Sequence, residues 1–599
     1  MHSRYPTPRS AALLLALVLS TSTSAQPRYD ILELEPLGFQ LPRALNNHGH
    51  VVGETPDDIL LWDGNSATLI DVPVSLPHIT GFADSGAIVG YFLDPIPLTD
   101  AGFAIEDGTF KELENLPRSS RPVAVNSPGQ ILIESGGVNQ RSSIYQAGSR
   151  TELGSTGGPK AYPAAINTAG WVVGRSAATM NLVPSHAFLY RDATMTDLGT
   201  LGGDHSEATD INDAGNIVGI ANDAAGLHSA MLYSAGRLLR IEPTNTAAPT
   251  SATKINNYNV VAGLFPEPAI WSGGVLKRLR DLADFEGLDL TPSQVLDFND
   301  RGQLLVRAFY GDAHIAGTTV LLTPRQLPPT RLTALAARAL AGTDNQTSIA
   351  GFVVAGKSNG SILLRTVGPG LAPLGVTNAG TDPALKIFDS SNTAIATNDN
   401  WSANSGDAET LAATAASVGA QPLTAGSTDA ALLADLPPGA YTAHASNAVD
   451  PSRIVLTEIY DAGDEDAARL TAASIRLQVG TGESIGIVGF ALAGDAPAKV
   501  LLRVLGPELA TRGVTNTLSD PQLFLYRGST PVMGNDDWGS ASTTPLLAAT
   551  TTQVGLPTLP DASKDAALLI QLEPGAYSVH VSGANNTTGI ALVEVYLVP

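Results

Sequence analysis

Two short loops in the C-terminal half carry residue types suited to binding an ion or a ligand. The motif Asn-Asp-x-Trp occurs at residues 398–401 and again at residues 535–538. Carboxylate and amide oxygens gathered in one loop are the ligands that calcium prefers, and an exposed Trp can stack on a sugar or another flat apolar face. The motif therefore predicts calcium ligands and ligand-binding aromatics, which are Asp382, Asp399, Asp520 and Asp536 for calcium and Trp401 and Trp538 for a ligand.

The same motif also fits a purely structural turn. Asn and Asp side chains commonly hydrogen-bond the backbone two residues on, and the Trp would then plug the edge of a domain core. Asp382 and Asp520 belong to the calcium hypothesis because each precedes the strand that leads to its loop. Calcium is the one cofactor that the sequence suggests, and both interpretations stay open at this point.

Two catalytic motifs match by letter but not by context. Residues 351–358 fit the phosphate-loop pattern, yet the intervening Phe-Val-Val-Ala favours a buried strand and Asn-Gly follows where a helix should begin. Residues 482–486 fit a nucleophile elbow, which requires a strand-to-helix turn in an α/β sheet that the surrounding pattern does not predict. Neither motif predicts an enzyme.

Two further segments resemble the start of a calcium loop. Residues 210–215 and 297–302 share the pattern Asp-x-Asn-Asp-x-Gly, but the fifth position, where an oxygen ligand is needed, is Ala214 in one and Arg301 in the other. The repeated Asn is better explained as a turn-forming residue.

Composition excludes several classes of protein. The chain has 599 residues, 34 Lys and Arg against 57 Asp and Glu, and a net charge of −23. The acidic excess extends over both halves, which argues against nucleic acid as a partner and against a polybasic membrane contact. Because the chain has no Cys, disulfides, thiolate catalysis and Cys-based metal sites are excluded.

The first 25 residues have the organisation of a secretory signal peptide. Arg4 and Arg9 precede a nine-residue apolar core, and Ala25 ends a stretch of small residues suited to cleavage. The apolar core is too short to span a bilayer, and no later apolar run is long enough either. We therefore expect residues 1–25 to be removed and the protein to be secreted, either extracellular or held at a bacterial cell surface.

A repeated turn divides the next 300 residues into seven units. An apolar residue and Asn-x-x-Gly precede an apolar run, and the turn positions recur every 37 to 45 residues at Gly49, Gly86, Gly129, Gly170, Gly215, Asn259 and Gly302. Asn replaces Gly once, as expected where a turn needs a positive φ. Each unit has room for four short strands, the size of a propeller blade.

The repeats predict a β-propeller over residues 26–323. The seventh unit lacks its last strand after residue 322, and residues 29–34 resemble that missing strand. If they pair beside residues 320–323, the ring closes and no sheet edge is left unpaired. An open β-solenoid is the alternative.

The repeat phrases resemble the extracellular repeats named for a His-Ala-Phe motif. Residues 186–190, 196–203 and 210–215 carry this similarity, and His186 occupies the His position. The resemblance covers about residues 29–323. It implies a secreted bacterial protein and no established reaction.

The remaining chain contains a duplicated module. A Pro-rich linker at residues 324–330 precedes copy 1 (331–462), an acidic linker (463–468) and copy 2 (469–599), which share motifs at a nearly constant offset. Short β runs between Gly, Pro and Asn turns predict an antiparallel β-sandwich for each copy. The pattern remotely resembles the pre-peptidase C-terminal domains of secreted bacterial enzymes.

The sequence therefore predicts an all-β protein: a seven-bladed β-propeller followed by two tandem antiparallel β-sandwich domains. The favoured function is a secreted, non-catalytic binding or cell-surface interaction protein whose ligand is an extracellular glycan or protein. The alternative is an extracellular enzyme that degrades polysaccharide or peptide, with its site in the propeller channel and the sandwiches as accessory modules. Convergence of acids in the channel would discriminate between them.

Overall fold

The computed structural model divides the chain into two compact units. It describes residues 28–599 except 56, 95–98, 118, 137–140, 159, 178–183, 242–247, 312–316, 342–346, 404, 448–452, 465–466 and 541–543. The first unit includes Ser24–Gln326, and the second includes Leu327–Ser540 and Thr544–Pro599. The expected signal peptide and most of the acidic residues at 464–466 lie outside the described residues.

The first unit consists of consecutive antiparallel sheets of four strands. In chain order, sheet 1 contains β2 (Leu41–Leu45), β3 (Val51–Glu54), β4 (Ile59–Trp62) and β5 (Ala67–Ile70); sheet 2 contains β6 (His78–Phe82), β7 (Ile88–Asp94), β8 (Thr99–Glu106) and β9 (Thr109–Glu112); sheet 3 contains β10 (Arg121–Val125), β11 (Ile131–Glu134), β12 (Ser143–Gln146) and β13 (Ser149–Glu152).

The next sheets repeat this order of strands. Sheet 4 contains β14 (Ala161–Ile166), β15 (Val172–Ala177), β16 (Ser185–Arg191) and β17 (Thr194–Asp197); sheet 5 contains β18 (Gly202–Ile211), β19 (Ile217–Asp223), β20 (His228–Ser234) and β21 (Arg237–Arg240); sheet 6 contains β22 (Ser251–Ile255), β23 (Val261–Leu264), β24 (Pro268–Ser272) and β25 (Val275–Arg278). A single bridge between Ser185 and His205 joins sheets 4 and 5.

The last sheet combines the two ends of the unit. Sheet 7 contains β26 (Leu290–Phe298), β27 (Leu304–Tyr310), β28 (Gly317–Pro324) and the N-terminal strand β1 (Tyr29–Glu33). β1 pairs antiparallel with β28, from Tyr29 opposite Pro324 to Glu33 opposite Val320. The predicted pairing of residues 29–34 beside residues 320–323 is confirmed, and it satisfies an edge of β28 that would otherwise stay open.

The turns between the first two strands of each sheet adopt the predicted conformation. Asn259 has a φ of 61°, and the six glycines at the equivalent position have φ values between 75° and 87°. After glycine, Asn tolerates this left-handed region best, which explains the one replacement.

The second unit consists of two eight-stranded antiparallel sheets. Copy 1 supplies β29 (Arg331–Ala341), β30 (Ser348–Ala355), β31 (Gly360–Val367), β32 (Pro383–Phe388), β33 (Ala394–Asn398), β34 (Ala430–Leu436), β35 (Gly439–Asn447) and β36 (Arg453–Asp461); copy 2 supplies β37 (Arg469–Val479), β38 (Gly486–Ala493), β39 (Ala498–Leu505), β40 (Pro521–Arg527), β41 (Thr530–Asn535), β42 (Ala566–Leu572), β43 (Gly575–Gly583) and β44 (Gly589–Val598). Three helices interrupt them, α1 (Ser405–Ser417), α2 (Pro507–Thr511) and α3 (Thr544–Gln553).

The two copies contribute strands to the same two sheets, whereas the sequence predicted a separate sandwich for each copy on either side of residues 463–468. One sheet runs β34-β31-β36-β29-β38-β43-β40-β41 and the other β33-β32-β35-β30-β37-β44-β39-β42, so each receives four strands from each copy. β29 pairs with β36 of its own copy and with β38 of the other, and β30 pairs with β35 and with β37 in the same way. A copy taken alone would expose two edge strands, and pairing between the copies removes them.

Candidate functional site: a channel lined by seven inner strands

One cavity of about 400 Å³ is lined by the first strand of every sheet in the first unit. Two of the positions that each unit contributes to its wall differ in side-chain type from unit to unit. The turn position, directly after the repeated Asn or its replacement, is held by Asn47, Asp84, Ser127, Thr168, Asp213, Asn257 and Asp300. The inner position, two residues before the same Asn, is held by Ala44, Gly81, Ala124, Ala165, Asp210, Lys254 and Asp297.

The repeated Asn residues connect neighbouring sheets through their side-chain amides. In five of the six units that have this Asn, its Nδ2 donates to the main-chain carbonyl of the equivalent residue in the next sheet: Asn126 to Asn167 (2.8 Å), Asn167 to Asn212 (3.2 Å), Asn212 to Asn256 (3.0 Å), Asn256 to Asn299 (3.2 Å) and Asn299 to Asn46 (2.9 Å). In most of these turns the Oδ1 also accepts N–H groups of its own turn, as at Asn299. The repeated Asn therefore forms the turn, as predicted, and in addition links its sheet to the next one.

The side chains at the turn position form a second chain of hydrogen bonds. The backbone N–H of one residue donates to the side chain in the next sheet: Asn47 to Asp84 (2.7 Å), Thr168 to Asp213 (2.9 Å), Asp213 to Asn257 (2.8 Å), Asn257 to Asp300 (2.7 Å) and Asp300 to Asn47 (2.7 Å). Burial raises the pKa of Asp300, and the charges of Asp213 and Asp84 raise it further. The carboxylates at this position therefore repel one another across the channel.

The inner position follows a β-bulge in every first strand. A bulge redirects the side chain that comes after it, which places these residues on the cavity wall. In sheets 5 to 7 the residue is charged. Lys254 Nζ lies 3.1 Å from Asp297 Oδ1, and Asp297 Oδ2 accepts the N–H of Leu45 at 2.8 Å.

Asp210 occupies a different environment from Asp297. Its Oδ1 accepts its neighbour's N–H, from Ile211 at 3.0 Å, and its Oδ2 accepts the N–H of Ile255 at 2.9 Å. Burial raises the pKa of Asp210 to about 6, although Lys254 and the two N–H groups oppose this rise. This group was not identified from the sequence. A comparison of the residues two positions before each repeated Asn would have revealed it.

In copy 2 the predicted calcium ligands come together with a third acid. Ligand oxygens of Asp520, Asp536 and Asp537 lie within 4.8 Å of one another. The Oδ1 atoms of Asp520 and Asp536 are buried and have no hydrogen-bond partner among the described residues. Burial raises the pKa of both Asp520 and Asp536, and nearby carboxylates add to the rise. Three acids of this kind fit the oxygen-ligand preference of calcium.

Two side chains border this cluster, and the charge of one of them, Lys564, partly offsets that of the acids. Lys564 Nζ lies 2.7 Å from Asp537 Oδ2, and Gln522 Nε2 donates to Asp536 Oδ2 at 3.3 Å. The sequence motif did not identify Asp537 as a calcium ligand because the two loops have different residues at this position.

In copy 1 the structure does not bring the predicted acids into a comparable cluster. Asn400 stands where copy 2 has Asp537, and Asp399 is exposed. Asp382 is half-buried, and its backbone N–H donates to Asn447 Oδ1 at 3.1 Å. Among the described residues, the cluster in copy 2 is the one group of three such side chains close enough to share an ion.

The two tryptophans are buried, which matches the structural turn rather than a stacking surface. Trp401 is 7% exposed and Trp538 is 2% exposed. The indole N–H of Trp401 donates to the carbonyl of Thr424 at 3.1 Å, and that of Trp538 donates to the carbonyl of Pro560 at 2.9 Å. The indole N–H of each ring is thus satisfied inside the second unit, and Trp401 also lines a small apolar cavity of about 70 Å³ with Leu411 and Ala415.

Buried charges in the second unit recur in both copies, which indicates a structural role. Arg365 Nε lies 3.0 Å from Glu458 Oε2, and Tyr460 donates to the same carboxylate at 2.8 Å. Arg503 and Glu594 repeat this pair at 3.1 Å.

Residues 351–355 of the phosphate-loop pattern belong to strand β30, and residues 482–484 form a short turn between strands, as the context predicted.

No protein-family model matches the sequence, and no curated protein matches it. Among solved structures, the chain is similar to the β-propeller domain of the trilobed protease from Pyrococcus furiosus, with 9% identity over 48% of this chain and 96% of that chain and a TM-score of 0.35. It is also similar to a puromycin-hydrolysing peptidase from Mycobacterium tuberculosis, with 12% identity over 56% of this chain and 59% of that chain and a TM-score of 0.31.

A third similar structure is the exo-β-1,3-galactanase from Phanerochaete chrysosporium, with 9% identity over 76% of this chain and 100% of that chain and a TM-score of 0.17. At these TM-scores the likenesses carry no argument about function. In the described part of the chain, no helix has the length and apolar character needed to cross a membrane. Consecutive four-stranded sheets, with their first strands around one channel, give the first unit a β-propeller fold.

Proposed function

We propose that this protein is a secreted binding protein without catalytic activity, and that the channel of a closed, seven-bladed propeller is its ligand-binding surface. The observation that carries the proposal is the hydrogen bonding of the channel carboxylates. Asp84, Asp213, Asp297 and Asp300 each accept an N–H from a neighbouring sheet. Groups held in this way build a rigid, preformed polar cavity, which favours binding because little ordering cost remains.

Export of the protein rests on the signal peptide expected at residues 1–25. The ligand is an extracellular glycan or protein. The resemblance to His-Ala-Phe repeats supports a bacterial origin and adds no reaction to this proposal.

The second unit serves as a rigid double-length β-sandwich in the same proposal. Leu335, Leu364 and Ile459 are fully buried on the face of their sheet opposite the one that carries Leu363 and Arg365. Alternating residues of a strand lie on opposite faces, so burial on both faces supports a second sheet packed against the first.

The binding proposal is tested with the full mature chain, immobilised and probed with arrays of extracellular glycans and purified matrix proteins. We expect saturable binding of at least one ligand and loss of that binding on replacing channel residues. A ligand that binds equally well to a variant with Asn at both Asp210 and Asp297 would refute the channel as the binding surface.

An extracellular hydrolase is the second candidate, because two channel carboxyl groups have different environments. Asp297 is ion-paired with Lys254, whereas burial raises the pKa of Asp210 to about 6. Glycosidases use such a pair, one carboxyl group as acid and one as carboxylate. Assays on polysaccharides and peptides between pH 4 and 8 test this candidate, and it requires activity that Asp210→Asn abolishes.

A calcium ion bound by Asp520, Asp536 and Asp537 belongs to the same proposal. The two buried oxygens without hydrogen-bond partners in the described structure support it. The ion would neutralise carboxylates that otherwise repel one another, so its role would be to stabilise the second unit.

A further inference from the structure

The repeats provide an internal comparison for the inner position of the channel. Four of the seven units have Ala or Gly there, so folding of the ring does not require a charged side chain at this place. Units 5, 6 and 7 instead have Asp210, Lys254 and Asp297, side by side. A departure from the repeat that is confined to three adjacent units, and that lines a cavity, points to a role in binding rather than in the fold.

Charge in the cavity is unbalanced. Its wall contains five carboxylates, Asp84, Asp210, Asp213, Asp297 and Asp300, against the cations Arg43 and Lys254. Both cations already have acidic partners. Arg43 Nε lies 3.0 Å from Glu54 Oε1, and Lys254 lies 3.1 Å from Asp297. Asp84 and Asp300 accept hydrogen bonds from neutral N–H and amide groups of Asn47 and Asn257.

The spacing of the channel carboxylates fits an organic cation better than a metal ion. Among the described residues, Asp520, Asp536 and Asp537 are the acids whose oxygens approach within 4.8 Å as a group of three, and none of these lines the channel. Calcium needs oxygens at about 2.3–2.6 Å, so three ligands must lie close together. An ammonium group needs no such group of three acids, because one carboxylate together with neutral oxygen acceptors satisfies its hydrogen bonds.

We propose that the sector of the channel around Asp210 binds the primary ammonium group of an organic ligand. The inference rests on the proposed binding function and specifies its ligand chemistry. The ammonium is carried either by an amino sugar or by a peptide, through its lysine side chain or its N-terminus. Lys254 neutralises Asp297, which leaves Asp210 as the inner carboxylate for the ligand.

Protonation of Asp210 couples this binding to pH. Burial raises the pKa of Asp210 to about 6, Lys254 opposes the rise and Asp297 adds to it. A bound ammonium acts in the same direction as Lys254 and lowers the pKa, so it releases a proton from the fraction of Asp210 that is protonated. We expect amine affinity to increase from pH 5 to pH 7 and to decrease at high salt.

The test is calorimetric titration of the full mature chain with glucosamine and with lysine amide, at low salt and pH 7. N-acetylglucosamine and Nε,Nα-diacetyl-lysine amide are matched probes without the ammonium group. We expect the amines to bind and the acetylated probes to fail, and the stronger of the two amines identifies the source. Acetylated probes that bind as tightly as the amines would overturn the ammonium inference, and their loss of binding in channel variants would still support the binding function.

Variants with opposite expected effects separate binding from stability. Asp210→Ala, which copies units 3 and 4, should weaken amine binding at least tenfold, whereas Lys254→Ala should strengthen it because a competing cation is removed. Glu112→Ala removes one negative charge from the exposed strand β9 and should change nothing. Equal weakening by Asp210→Ala and Lys254→Ala would indicate a structural effect and overturn the proposal, as would an unchanged affinity in Asp210→Ala.

Discussion

The side-chain amide of Asn299 donates a hydrogen bond to the main-chain carbonyl of Asn46, at 2.9 Å and across 253 positions of the chain. In the next residue of the same turn, the N–H of Asp300 donates to Oδ1 of Asn47 at 2.7 Å. These two bonds join the last sheet of the first unit to the first, on the channel side. β1 closes the outer side of the last sheet by pairing with β28. The ring is therefore tied at both its inner and its outer strands.

Replacing Asn299 with Asp should destabilise the first unit by about 1–3 kcal/mol, the cost of leaving a buried acceptor without its donor. Asp keeps the oxygens that accept the N–H groups of Arg301 and Gln303 but loses the amide donor. Asn65→Asp in an exposed hairpin turn is the matched control. Denaturant unfolding measures both variants, and equal stability of the two would contradict a role for the amide in closing the ring.

Deleting residues 28–33 should lower the melting temperature of the first unit strongly and cause concentration-dependent association. Without β1, the edge of β28 offers unpaired N–H and carbonyl groups to another chain. Arg325→Ala serves as control, because it removes only the exposed ion pair with Asp30 and should change stability by less than about 0.5 kcal/mol. Scanning calorimetry with light scattering tests this, and a monomeric deletion variant with an unchanged melting temperature would refute closure by β1.

Asp210→Asn should change how stability depends on pH. The folded pKa of about 6 lies above the ordinary value of 3.8 for an Asp side chain, so between these values the folded state binds more protons than the unfolded state. The contribution of Asp210 therefore becomes less favourable as pH rises from 4 to 7. Relative to the wild type, Asp210→Asn should gain stability over this range, by at most about 3 kcal/mol.

Urea unfolding at pH 4.5 and pH 7 measures that difference. Asp213→Asn is not a suitable control because it belongs to the same channel, so the exposed Asp399→Asn is used instead. A stability difference between wild type and Asp210→Asn that is the same at both pH values would show that Asp210 has an ordinary pKa.

Calcium should raise the melting temperature of the second unit, since an ion that binds only the folded state stabilises it by mass action, by about 2.7 kcal/mol at one hundred times the dissociation constant. Asp536→Asn should abolish this rise while leaving the metal-free protein as stable as the wild type or more so, because repulsion with Asp520 and Asp537 is reduced. Asp399→Asn in copy 1 should retain the full response. A calcium response that survives Asp536→Asn would exclude this site.

Features repeated at a fixed interval and the strand that completes the last sheet were predictable from the sequence, whereas side-chain contacts between neighbouring units were not. The turn at Asn259 and the pairing of β1 follow from local pattern and from the missing strand of the seventh unit. The amide bond from Asn299 to Asn46 depends on which units become neighbours in space, so the same Asn was interpreted as a turn residue alone.

The second unit shows the same limit. The duplication and the loops at Asp520 and Asp536 could be predicted from motifs that the two copies share. The sequence does not indicate that β29 pairs with β38, because edge pairing between two similar copies leaves no local signal. The sequence motif also does not identify Asp537, because copy 1 has Asn400 at the equivalent position and the motif contains only residues that the two copies share.

The most direct test of the account is the chemical fate of a ligand in the channel. The mature wild-type chain is incubated with its best-binding ligand at pH 5, 6 and 7, and the ligand is recovered and analysed by mass spectrometry beside the Asp210→Asn and Asp297→Asn variants. The account predicts that the ligand is recovered intact from every sample and that the variants bind it less well. New cleavage products formed by the wild type, and absent from both variants, would contradict it and establish an enzyme in the channel.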